Sequence, residues 1–148
     1  MAKVLVAMSG GVDSSVTAYL LCAQGHNCAG ATMRLYQPNP EQDDAEDARL
    51  VAMRLDLPFY VFSLGKEFEE EVICKFISCY ENGLTPNPCV DCNRHLKFGH
   101  FLQEAGKLGY DCIATGHYAR IEKDDHSNRY LLKKAVDTTK DQSYFLYT

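Results

Sequence analysis

The chain has 148 residues, 46% of them hydrophobic and 24% charged, with a formal net charge of −5. That length suits one domain with a buried core. No run approaches the length of a membrane span, and Met1-Ala2-Lys3 enters an apolar strand with no signal-like region, which argues against export and for the cytoplasm. The acidic balance argues against a chain-wide electrostatic grip on nucleic acid, so any RNA contact has to be local or supplied by other parts of the protein. Seven cysteines, an odd number, on an α/β pattern without a signal read as reduced thiols and not as a disulfide framework.

Lys3 to Met8 is the first expected strand, followed by a helix over Ser14 to Gln24 that Gly25 stops. Cys28 to Leu35 makes a second strand, and Gln37-Pro38-Asn39-Pro40 a loop. Ala45, Ala48, Ala52 and Leu55 recur at helical spacing, with Pro58 closing the segment. Phe59 to Leu64 is a third strand, and Phe68, Val72, Phe76 and Tyr80 form the stripe of a third helix that Gly83 ends. A proline-rich loop, Leu84 to Asp91, leads to a helix through Phe98, Phe101, Leu102 and Ala105. Asp111 to Thr115 is a fourth strand, and Tyr118–Ile121 with Tyr130–Lys133 forms an antiparallel ribbon around Asp124 to Asn128. Lys140 to Tyr147 reads as the start of another helix, so the chain is expected to be a fragment of a longer protein. The acidic runs Asp43–Asp47 and Glu67–Glu71 read as solvated helix faces. Strands alternating with helices predict a doubly wound parallel sheet. Its ligands should sit beyond the carboxyl ends of the strands, near Ser9, Met33, the 86–92 loop and Gly116.

The strongest chemical signal is Met8-Ser9-Gly10-Gly11-Val12-Asp13-Ser14-Ser15, placed directly after the apolar strand. A strand that turns through two glycines into a helix presents backbone N–H groups and the positive end of the helix dipole, which together attract an anion. Ser9, Ser14 and Ser15 add hydroxyl donors, and Asp13 can cap the helix or help to hold a magnesium ion. Neither GxxxxGK[ST] nor GxGxxG is present. The string SGGVDSS instead resembles the pyrophosphate-binding loop of ATP pyrophosphatases, which adenylate a substrate at the expense of ATP.

The second signal is Thr85-Pro86-Asn87-Pro88-Cys89-Val90-Asp91-Cys92-Asn93. With the prolines taken as loop residues, Cys92 falls at the entrance of a helix. There the dipole and the nearby Arg94, His95 and Lys97 should lower its pKa, as befits a nucleophile or a sulfur carrier. A zinc half-site, a redox dithiol and an iron–sulfur ligand pair compete with that reading. A phosphate loop in the same chain favours sulfur transfer. Cys22, Cys28, Cys74, Cys79 and Cys112 read as packing thiols. His117 reads equally as a ligand contact or a structural histidine, while Met33 reads first as core.

Taken together, Ala7–Ser15, GATMRL at Gly30–Leu35, TPNPCVDCN at Thr85–Asn93, ATGHYARI at Ala114–Ile121 and KDQSYFLYT at Lys140–Thr148 resemble the tRNA-specific 2-thiouridylase family. The likeness covers the amino-terminal catalytic domain of that family. It implies an adenine nucleotide alpha hydrolase-like fold and an ATP-dependent sulfurtransferase that adenylates the wobble uridine of tRNA and inserts sulfur to give 2-thiouridine. It implies ATP and Mg2+ at Ala7, Met8, Ser9, Gly10, Gly11, Val12, Asp13 and Ser14, with Met33 and Gly116 beside the nucleotide. Cys92 matches the family's first catalytic cysteine. Asn87, Pro88 and Cys89 match the segment near the target base, and Lys140, Asp141 and Gln142 match a tRNA-contacting segment. The implied partners are a tRNA with a wobble uridine and a sulfur-donor protein, either a cysteine desulfurase or a relay.

Cys89 stands where many members of the family carry aspartate, and Leu84 where an arginine is frequent. The cysteine pair keeps an iron–sulfur cluster open, and no metal ligand set is assigned. The family's second catalytic cysteine falls downstream of Thr148, so residues 1–148 alone are expected to bind ATP without completing turnover. The competing readings are another adenylating enzyme or tRNA sulfurtransferase on the same scaffold, and a nucleotide- or metal-binding module without turnover.

Overall fold

The computed structural model describes residues 1–36 and 45–147. The expected loop at 37–40 and the first acidic residues of the 43–47 run lie outside them. Strands β1 (Lys3–Ala7), β2 (Asn27–Arg34), β3 (Phe59–Ser63) and β4 (Cys112–Ala114) form one sheet in the order β3-β2-β1-β4. Every pairing in it is parallel, with Leu5 opposite Ala29 on one side and Ile113 on the other. Helices α1 (Val12–Ala23) and α2 (Glu46–Arg54) carry the first two crossovers. The third crossover holds two long helical segments, α3 over residues 65–81 and α4 over residues 88–107. A separate antiparallel ribbon pairs β5 (Arg120–Asp124) with β6 (Arg129–Lys133). The doubly wound parallel sheet expected from the sequence is the fold observed.

Period-two alternation along β1 explains why both sheet faces are covered. Val4, Val6 and Met8 point towards α1 and α2, where they meet Ala18, Ala48 and Ala52. Leu5 points the other way, and with Ala29 and Ala31 packs on Phe101 and Ala105 of α4. Phe101 is fully buried and meets Phe62 edge-on at 5.6 Å. Small residues on α1 and α2 let these helices lie close to the sheet, and Gly30 is part of that approach. A Cβ there would come 2.5 Å from the Met8 sulfur.

Three local expectations change. α2 stops at Arg54, and Asp56, at φ +55°, makes the turn that the sequence assigned to Pro58. Helix α4 begins at Pro88, inside the segment expected to be loop. Asn87 caps it by accepting the Cys89 backbone N–H at 3.2 Å, and Pro88 at the first position gives up an N–H that no helix start would use. The expected closing helix is a short 3₁₀ turn, Ser143–Leu146. Asp141 competes for the backbone there, accepting from the Ala135 N–H at 2.8 Å and the Ser143 hydroxyl at 2.8 Å.

Sheet growth runs one way from β1 through β2 to β3 and the other way to β4. The reversal opens a crevice beyond the carboxyl ends of β1 and β4, where α/β sheets place ligands.

Candidate nucleotide and thiol site

The turn from β1 into α1 sits at that crevice. Gly10 has φ +80°, and a Cβ on it would stand 2.5 Å from the Asp47 Cβ and 3.0 Å from the Ala48 nitrogen. The turn therefore leans on the start of α2, and only glycine satisfies both the backbone angle and the contact. Its hydroxyls are already ordered. The buried Ser14 Oγ accepts the Ser9 N–H at 3.2 Å and donates to the Gly11 carbonyl at 3.1 Å, and the Ser15 hydroxyl donates to the same carbonyl at 2.8 Å. The buried Thr32 hydroxyl donates to the Met8 carbonyl and ties the turn to β2. Gly116 lets the loop after β4 close the far side, since a Cβ there would come 2.9 Å from the Ser14 nitrogen.

The result is a cleft of about 470 Å³ whose walls include Ala7, Met8, Ser9, Asp13, Ser14, Met33 and Gly116. These are seven of the ten positions that the resemblance puts at a nucleotide. Gly10 and Gly11 shape the turn behind the cleft, and Val12 faces a shallower hollow beside Asp13 and Tyr118. Met33 serves both readings, lining the cleft while packing on the core.

A second groove of about 530 Å³ adjoins the first and is largely apolar, with Phe68, Val72 and Phe76 of α3 on one side. Pro88, Cys89 and Cys92 form part of the other side. Lys97, His117 and Gln142 line both cavities, so the cleft at the glycine-serine turn and the thiol groove share a wall. The Lys97 ammonium lies 3.3 Å from His117 Nε2, and His117 Nδ1 lies 2.8 Å from the Thr115 hydroxyl. Asn93, next to Cys92, is buried and donates to the Phe145 carbonyl at 2.8 Å, which fixes the 3₁₀ turn against the groove.

The expected low thiol pKa of Cys92 is overturned. Because α4 starts at Pro88, Cys92 lies a full turn inside the helix and gains little from its amino-terminal end. Burial pushes its pKa up; Lys97 pulls it down, and the Cys89 sulfur adds to the rise. The packing-thiol reading also narrows: Cys28 is buried and Cys22 and Cys79 are half-buried, whereas Cys74 and Cys112 are exposed. Among the described residues no three His, Cys, Asp or Glu side chains converge to hold a metal ion.

The carboxy-terminal segment divides. Gln142 exchanges hydrogen bonds with Tyr118, its amide oxygen accepting the Tyr118 N–H at 2.9 Å and its own N–H reaching the Tyr118 carbonyl at 2.9 Å. The Lys140 ammonium stands 5.3 Å over the Tyr118 ring. Asp141 is taken up by its own loop. Tyr118, read from the sequence only as part of the ribbon, also donates its hydroxyl to Asp13 at 2.8 Å and so links this segment to the glycine-serine turn. Nothing in its spacing signals that role, since Asp13 and Tyr118 are 105 residues apart.

Burial, helped by Lys97, lowers the His117 pKa from its ordinary 6.5 to about 4. Between those values the unfolded chain binds a proton that the folded chain refuses, so this contribution to stability is complete above pH 6.5 and drains away as the pH falls towards 4. The lowered carboxyls Glu122, Asp124, Asp137 and Asp141 act below about pH 4.5, which leaves pH 5 to 6.5 to the histidine. Melting temperature should fall across that interval, and His117→Asn should flatten the fall; thermal melts at half-unit pH steps check it.

The family described as tRNA methyl transferase HUP domain matches residues 2–148. Over 98% of its length the chain is 50% identical to a tRNA-specific 2-thiouridylase MnmA of Clostridioides difficile, and over 99% it is 52% identical to one of Chloroflexus aggregans. It spans 43% of the length of each. A predicted subunit of tRNA methyltransferase from Methanocaldococcus jannaschii shares the fold over 87% of this chain and 57% of its own, with a TM-score of 0.57 and 22% identity. Among the described residues no helix is long and apolar enough to cross a membrane. With its glycine-serine turn, parallel sheet and a match over residues 2–148, the chain belongs to the tRNA methyl transferase HUP domain family.

Proposed function

We propose that this chain is the nucleotide-binding and sulfur-handling part of an ATP-dependent tRNA sulfurtransferase, acting in the cytoplasm to convert a wobble uridine to 2-thiouridine. The observation that supports it is the shared wall: the cleft at the glycine-serine turn and a thiol-bearing apolar groove meet at Lys97, His117 and Gln142. Relatives about 50% identical carry the 2-thiouridylase name.

The turn residues Ser9 to Ser14 hold the phosphates of ATP through N–H groups and hydroxyls. Met33 and Gly116 line the same cleft, where the nucleotide would lie beside them. Magnesium needs only one or two protein carboxylates besides phosphate oxygens. Asp13, the carboxylate at the turn, fits that demand, and the ion would offset phosphate charge there. The apolar groove accepts a base drawn out of its stack, with Asn87, Pro88 and Cys89 at its entrance. In the first step the uridine O2 bonds to the α-phosphorus and pyrophosphate leaves. In the second the Cys92 thiolate attacks the inner sulfur of a persulfide that carries the donated sulfur, forming a disulfide and freeing hydrosulfide, which bonds to C2 while AMP leaves with the electrons of the C–O bond. Adenylation is needed because the carbonyl oxygen is otherwise a poor leaving group. A cysteine desulfurase or relay protein supplies the sulfur, and Lys140 and Gln142 face the tRNA.

The family description names a methyl transferase, and methyl transfer is the competing reading. It requires neither a triphosphate cradle nor a thiol groove beside it. Mass spectrometry of tRNA incubated with the full-length protein, ATP, magnesium and a sulfur donor separates the two. Sulfur in place of oxygen at the wobble uridine is the expected product, and an added methyl group or unmodified uridine rejects the proposal. Residues 1–148 alone should bind ATP without sustained thiolation.

A further inference from the structure

We propose that Lys97 couples the two cavities: held by His117 at their shared wall, its ammonium serves a nucleotide phosphate on one side and the Cys92 sulfur on the other. This rests on the sulfurtransferase reading for the identity of the two anions. Two features of the fold place the ammonium there.

The first is helix geometry. Cys92–His100 is wound as a π-helix, in which residue i bonds to i+5. Residues five apart then close a turn, so Cys92 and Lys97 lie towards one face. In ordinary α-helix the same pair would stand well over a quarter-turn apart. The winding is tight at Gly99, where a Cβ would come 3.2 Å from the Arg94 carbonyl oxygen, five residues back. Such local underwinding is rare and recurs at functional sites.

The second is the partner that aims the side chain. His117 stays neutral at physiological pH, and its Nε2, 3.3 Å from the Lys97 ammonium, accepts while Nδ1 is engaged with Thr115. A neutral acceptor fixes the ammonium without cancelling its charge. Among the described residues no carboxylate forms an ion pair with Lys97. On the α3–α4 seam Lys75 pairs with Asp91, and Glu71 lies against the His95 ring. The charged and titratable groups facing Cys92 are therefore Cys89 and Lys97 on its own helix and His117 on the loop after β4. Burial works against a Cys92 thiolate, and the Lys97 charge works in its favour.

The test has two arms. Iodoacetamide labelling of Cys92, resolved by peptide mass spectrometry across pH 7 to 10, should slow about fivefold at pH 8 in Lys97→Met. Lys97→Arg should restore it to within about twofold, and exposed Cys89 should label as before. Calorimetry should show ATP bound about tenfold more weakly by Lys97→Met. The arginine variant separates loss of charge from loss of fold. If either arm is unchanged in Lys97→Met, the coupling role is overturned. If the wild-type chain takes up no ATP, the functional reading falls, while the labelling arm still reports on Lys97 and Cys92.

Discussion

Gly10→Ala should cost the chain most of its affinity for ATP, weakening binding about 30- to 100-fold by calorimetry. Two penalties combine. At φ +80° an L side chain is strained by about 1–2 kcal/mol. The added Cβ also meets the Asp47 Cβ at 2.5 Å and the Ala48 nitrogen at 3.0 Å, neither of them the free end of a flexible chain. The turn can relieve the contact only by lifting off α2, and that moves the N–H groups of residues 9–14 away from a common centre. Two to three kcal/mol of lost phosphate binding corresponds to the stated factor. Gly25→Ala is the matched control. Gly25 has φ +82°, yet a Cβ there meets nothing within 4 Å. It should lower the melting temperature through strain alone and leave ATP affinity within about twofold. Equal losses of affinity in the two variants would show that the turn is not the phosphate site.

Much of this arrangement is legible in the sequence because two separate codes agree. The apolar run Val4–Ala7 and the stretch Cys28–Leu35 spell out strands, and the glycine-serine string marks the strand-to-helix turn. Both survive in the structure nearly residue for residue. The start of α4 was less legible. Two prolines in four residues suggest a loop, but Pro88 occupies the one helical position where a missing N–H is harmless, and Asn87 supplies the cap. That shift of one turn moved Cys92 away from the helix dipole and reversed the expected direction of its pKa. The π winding of residues 92–100 leaves no periodic trace that a 3.6-residue reading would detect. The wall residue Lys97 was visible only as one of three nearby cations. Tyr118 was hidden for a different reason: its partners, Asp13 and Lys140, come from opposite ends of the chain.

Tyr118 also gives the site an internal linkage. Its hydroxyl holds Asp13, its ring carries Lys140, and its backbone is clasped by Gln142. Asp13 in turn holds the Tyr118 hydroxyl in its protonated form and raises its pKa. A substrate that displaces Lys140 from the ring would therefore act on a residue bonded directly to the phosphate turn.

Cys92→Ser should abolish sulfur transfer, lowering it by about three orders of magnitude or more, while ATP binding stays within about twofold. The split follows from position. Cys92 lines only the apolar groove, and none of the hydrogen bonds that order the phosphate turn involves it. Serine keeps the shape but offers a hydroxyl that neither carries sulfur nor ionises near neutral pH. Cys89→Ser distinguishes the nucleophile from a cluster. A cluster would lean on both cysteines and require further sulfur ligands, so the two variants would fail alike and lose bound iron together. As a nucleophile Cys92 stands alone, and the exposed Cys89 only raises its pKa. Cys89→Ser should then keep transfer within about tenfold, and its pH–rate profile should shift towards lower pH, because removing the neighbouring sulfur eases ionisation of Cys92. Thiolation assays over a pH series, with iron measured on the same samples, decide between the two. Equal loss in both variants with loss of iron would assign the pair to a cluster.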